Sequence, residues 1–155
     1  MSESGKKEQL KALQAALAAE HAAVYGYGVV GGRISQERRS EARAAYDAHR
    51  ARRDALAREV RDLGAEPVAA SPAYALPFPV SDAPAAVRFA AGLEDRMAAV
   101  YSDLVRAAEG ELRGTAAEAL REAAVRAVRW WGESVAFPGL AERAATTSAS
   151  PMPSA

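Results

Sequence analysis

Apolar positions recur along this chain at alternating spacings of three and four, the period of one helix face. In the first segment the repeat runs through Leu10, Leu13, Leu17, Glu20, Val24 and Tyr27, which predicts a helix from about Ser4 to Val30. Gly31 and Gly32 are expected to end it, because glycine takes the left-handed C-terminal conformation without steric penalty. A second helix is predicted from near Ser35 to near Leu63, stopped by Gly64, with the seam Ala42, Ala45, His49, Arg52, Leu56 and Leu63. Glu37 in its opening turn suits the helix dipole. The third opens with a capping residue, Ser81, then Asp82 and Pro84. Its seam is Val87, Ala90, Glu94, Met97, Tyr101, Leu104 and Ala108, and Gly110 and Gly114 flank the turn that follows. A fourth, from about Thr115 to Ala136, turns Ala116, Leu120, Ala123 or Ala124, Ala127 and one of Trp130 and Trp131 inward, and ends at Pro138 and Gly139. No period-2 strand pattern is present, so the expected class is all-α.

Residues 65–80, AEPVAASPAYALPFPV, carry four prolines and cannot be helical throughout. A second helix of about 29 residues is roughly 43 Å long. Sixteen extended residues reach roughly 53 Å, enough to run the length of a bundle. Helices 2 and 3 would then be parallel, joined by one long crossover, with Tyr74 and Phe78 packed on the bundle side. Four helices with a single crossover have the connectivity of ferritin-like folds; up-down-up-down is the alternative.

Three helices each place one ionisable residue near mid-length of an apolar seam: Glu20, His49 and Glu94. Centring the first turn between residues 34 and 35 sets Glu20 opposite His49. Centring the second between Arg113 and Gly114 sets Glu94 opposite Glu133. An isolated buried charge costs several kcal/mol, so such groups must be paired, neutralised or metal-bound. Ferritin-like di-metal carboxylate proteins use one Glu from each of two helices and Glu-x-x-His from each of the other two. Glu20 and Glu94 suit the first kind of position. The second helix has Tyr46-x-x-His49, and the fourth has Trp130-x-x-Glu133. Aromatic residues thus stand at two ligand positions and a glutamate at one histidine position. His21 is the other of the two histidines, about 100° around the helix from Glu20.

LQAALAAEHAAVYGYGVVGGR, AYDAHRARRDAL and RWWGESVAFPGL are together similar to an actinobacterial ferritin-like family of unknown function. The resemblance covers about residues 8–142. It implies a four-helix bundle and no established activity.

The chain has 155 residues, enough for one domain; residues 1–142 are expected to form it and the polar residues 143–155 a disordered tail. Zero cysteines exclude disulfides, thiolate metal sites and thiol catalysis. A formal net charge of zero offers no pull toward nucleic acid or anionic lipid. No signal-peptide or membrane-span pattern is present, so a soluble cytoplasmic protein is expected. The favoured reading is a structural or interaction module without a complete di-metal site, non-enzymatic and without a cofactor. Its buried polar network would be Glu20, His49, Arg52 and Tyr46, and it would self-associate through alanine-rich faces. The rival reading binds iron or manganese through Glu20, His49, Glu94 and Glu133. A third places a small-molecule pocket among Tyr25, Tyr27, Tyr101 and Trp130.

Overall fold

A computed structural model describes residues 1–132. Its helices are α1 (Glu3–Arg33), α2 (Arg39–Asp62), α3 (Ala83–Ala107) and α4 (Gly110–Trp131), with a short 3-10 turn over Gln36–Arg38 ahead of α2. The expectations for Glu133 and for the tail lie outside the described residues, whereas α4 itself ends at Trp131, ahead of the predicted Ala136, on a left-handed Gly132 with φ of 83°.

The ends differ from expectation in instructive ways. Ser2 caps α1, its hydroxyl accepting from the Gly5 N–H at 3.0 Å. Gly31 and Gly32 do not end α1. The helix runs on to Arg33, and extended Ile34 caps it through its N–H on the Val30 carbonyl. Ile34 is buried, and drawing this apolar side chain into the core turns the backbone without a left-handed residue. Gly64 does stop α2 with φ of 77°. The α3 cap is Asp82, not Ser81; its carboxylate accepts from the Ala85 N–H at 2.8 Å. The connection from α3 to α4 is two residues, so α4 begins at Gly110, ahead of the predicted Thr115. Leu112 packs against the core, which gives the added turn an apolar anchor.

Side-chain contacts set the helix directions. Glu20 on α1 meets His49 on α2 and Tyr101 on α3, while Tyr27 meets Glu94. Contacts later in α1 therefore fall earlier in α3, so these two helices are antiparallel. The short first connection makes α1 and α2 antiparallel as well, so α2 and α3 are parallel to each other. The crossover follows α1. Gln14 bonds the backbone of Glu66 and Val68, His21 Nε2 donates to the Val68 carbonyl at 3.0 Å, and Tyr74 packs on Tyr25. Phe78 reaches the edge of Phe89 on α3. Helix α4 packs on α3 and is bridged to α2 and the turn ahead of it by long side chains. Arg38 lies 4.1 Å from the Trp130 ring and donates to the Arg129 carbonyl, and Arg52 pairs with Glu122 at 3.0 Å.

The core holds leucines, alanines, Phe89, Met97 and Trp130, with Glu20, His49 and Glu94 fully inside it. Gly26 allows α1 and α3 to approach closely, since a Cβ there would sit 2.5 Å from Leu93 Cδ1. Among the described residues no helix is long and apolar enough to cross a membrane.

Candidate functional site

The polar layer is built by regular helix geometry. Glu20 and Tyr27 lie two turns apart on α1, His49 on α2, Glu94 and Tyr101 two turns apart on α3, and Arg126 and Trp130 one turn apart on α4. These spacings put each pair on one face of its helix, so that all seven side chains meet in one connected polar layer inside the bundle.

The His49 imidazole lies between the two carboxylates. Nδ1 is 2.6 Å from Glu20 Oε2, and Nε2 is 3.0 Å from Glu94 Oε1. Carboxylate oxygens accept, so both ring nitrogens donate, and His49 is an imidazolium. Tyr101 donates to Glu20 Oε1. Tyr27 donates to Glu94 Oε1 at 2.6 Å, and Trp130 Nε1 donates to the Tyr27 oxygen at 2.9 Å. Arg126 Nε supplies a third donor to Glu94 Oε1 at 2.8 Å. The Tyr27 ring stacks on His49 with centroids 5.4 Å apart. Glu94 Oε2 is buried with no hydrogen-bond partner among the described residues.

Two carboxylates, one imidazolium and one guanidinium sum to zero charge. The titration behaviour follows from these contacts. Burial pushes the His49 imidazole down, but hydrogen bonds to and the charges of Glu20 and Glu94 outweigh it and push it up to about 9. Burial pushes the Glu94 carboxyl up, but His49, Arg126 and Tyr27 outweigh it and hold the group below the usual carboxylate range. Burial first, and then the carboxylate each one touches, raises the phenols of Tyr27 and Tyr101, so both stay protonated donors.

A metal bound here would need imidazole nitrogen and carboxylate oxygens to converge on one point. Instead the imidazole separates the carboxylates, with both its nitrogens engaged, and Arg126 brings a fixed cation to Glu94. These residues do not fit a di-metal centre as arranged. Among the described residues, no group of three or more His, Cys, Asp or Glu is placed to hold a metal ion.

The other candidates from the sequence occupy separate places. Arg52 pairs with Glu122 and, at 3.9 Å, Glu118, and among the described residues it makes no hydrogen bond or ion pair to Glu20 or Glu94. Tyr46 lies under the Arg50 guanidinium at 5.6 Å and makes no hydrogen bond to the network among the described residues. It lines an open cleft of about 420 Å³ together with Tyr27, Gly28, Arg39 and Arg43. Tyr25 packs against Tyr74 on the crossover side of α1, far from the Tyr27, Tyr101 and Trp130 cluster. Glu94 is met by Arg126, so the register that set it opposite Glu133 is displaced by the shorter second turn. Sequence reasoning missed Arg126. Its signal was position, since it falls between Ala123 and Trp130 on the buried stripe of α4, with its side chain only 17% exposed. Two inward carboxylates with one histidine also left a positive charge to be found.

The fold and site define a class: a ferritin-like all-α bundle with a crossover between its second and third helices and a charge-neutral polar core. Residues 12–142 match the model of a family described as a domain of unknown function, DUF4439, and the chain belongs to that family. The structure is similar to that of a conserved hypothetical protein from Mycobacterium tuberculosis, 35% identical, with a TM-score of 0.78 over 84% of this chain and 97% of that one. It is also similar to ferritin-like, diiron-carboxylate proteins from Bacillus anthracis str. Ames, 17% identical, with a TM-score of 0.72 over 84% of this chain and 96% of that one. No curated protein matches the sequence significantly.

Proposed function

We propose that this protein is a non-enzymatic ferritin-like module, structural or interaction-forming, in which protein cations take the place that metals hold in di-metal bundles. The observation that carries this reading is His49 lying between Glu20 and Glu94 with both nitrogens engaged. Arg126 completes the neutralisation. Such a network favours one helix register over others, because any slip strands a charge in the core. An interaction role is supported by Trp131, a large aromatic side chain 54% exposed at the end of α4. A second copy of the chain is the simplest partner.

The rival, an iron- or manganese-binding protein, has one observation in its favour, the buried Glu94 Oε2, which has no hydrogen-bond partner among the described residues. Elemental analysis of protein purified without chelator and supplied with iron and manganese separates the two. Metal near zero equivalents, with His49→Ala losing stability, supports the module. About two equivalents per chain, lost in Glu20→Ala with the fold retained, would overturn it.

A further inference from the structure

Between α1, α3 and the crossover lies a groove of about 560 Å³, on the far side of α1 from the cleft that Tyr27 and Tyr46 line. Its floor is Ala19, Ala22 and Ala23, and its walls include Tyr25, Tyr74, Phe89, Met97 and Val100. The volume falls in the range of small-ligand sites, roughly 300–1,000 Å³. Its origin is visible in the helix pair. At Gly26 the side chains of Leu93 and Phe89 pack directly on the α1 backbone, so that even a methyl group would strike Leu93. One to two turns earlier in α1, alanines face Met97 and Val100, and the space between them stays open. The crossover roofs this space instead of filling it. It is tied down near Val68 by Gln14 and His21, and near Phe78 by Phe89.

Arg96 is the one charged residue in the lining among the described residues. Its Nη1 lies back along α3, where a Cβ on Gly92 would be 3.6 Å away. It makes no ion pair among the described residues, whereas Arg38, Arg52, Arg53 and Arg126 all do. A single cation on an otherwise apolar and phenolic lining complements a ligand with an apolar body and one negative charge. A guanidinium suits a carboxylate in particular, since its paired N–H groups match the two oxygens.

We propose that this groove binds a small apolar monocarboxylate, with its hydrocarbon body over the alanine floor and its carboxylate on Arg96. The site goes beyond the structural reading above and shares no residue with the polar network. The test is calorimetric titration of the full chain with decanoate, 4-phenylbutyrate and, as an uncharged control, decanol. Saturable binding of one acid per chain is expected, and which of the two acids binds tells an alkyl from an aromatic body. Arg96→Gln, at an exposed position, should weaken that acid at least tenfold while leaving decanol unchanged. Ala22→Trp should abolish binding by filling the floor; Val100→Trp replaces it if that variant fails to fold. The proposal is overturned if neither acid binds saturably to the unaltered chain. It also fails if Arg96→Gln binds the acid as tightly as before, or if the filled variants bind undiminished.

Discussion

With both ring nitrogens donating to carboxylates, His49 holds a proton that the core cannot lose without disruption. Its folded value, about 9, stands above its ordinary 6.5. A raised value gives stability that is fully present below pH 6.5 and is lost as pH rises through about 9. The amount is roughly 3 kcal/mol, at about 1.4 kcal/mol per unit. Glu94 is shifted the other way, so its contribution is present above its ordinary 4.5 and falls away on acidification. Thermal melts should therefore show the polar core strongest between about pH 5 and 6.5, with a falling alkaline limb. His49→Gln should flatten that limb, and an unchanged melting temperature from pH 7 to 10 in the parent chain would contradict the imidazolium. Arg126 is testable by the same logic. Arg126→Leu leaves Glu94 short of its fixed cation and should cost roughly 3–5 kcal/mol in urea unfolding. Adding Glu94→Gln should restore part of the loss, because the two residues are directly coupled.

At the scale of an element, α1 carries glycines with opposite expected responses. Gly26 is pressed against Leu93 and Phe89, both buried, and an added Cβ would be 2.5 Å and 3.2 Å from them. Gly26→Ala should therefore destabilise by about 1–3 kcal/mol through overpacking. A Cβ at Gly28 meets nothing within 4 Å, so Gly28→Ala should stabilise by up to about 1 kcal/mol through helix propensity. Chemical denaturation of the two variants checks both signs. The helices themselves were legible because their seams repeat at three and four over many turns, as in Leu10, Leu13 and Leu17. Their ends were less so. Gly31 looked like a stop, but burial of Ile34 carried the helix past it. Gly114 looked like part of a turn, but Leu112 had core to reach.

Across the whole molecule, the crossover sets the topology, and its attachment to α1 is light. His21→Ala removes the hydrogen bond to Val68 and should raise amide exchange across the adjoining crossover residues, with melting changed little, since one such bond is worth roughly 1 kcal/mol. Native-state exchange monitored through residues 66–72 measures this. Assembly belongs to the same scale. If Trp131 seats on a second copy, sedimentation should show a dimer that Trp131→Ala weakens at least tenfold. A monomer at all concentrations would leave the interaction reading to a different partner.

The periodic seams, the prolines of residues 65–80 and the mid-helix positions of Glu20, His49 and Glu94 were enough to imply four helices, one crossover and three inward ionisable groups. These are properties of local spacing, and local spacing is written in the chain. Which charges meet is not. That Arg126, and not Arg52, completes the network depends on the length of the second turn and on which flank of α4 faces α3. A shift of a few residues there changes which arginine reaches Glu94, since Arg52 and Arg126 are covered almost equally, at 19% and 17% exposed. Packing decided the matter: Trp130 had to be buried and Glu94 had to be neutralised, and the register with Arg126 against Glu94 satisfies both.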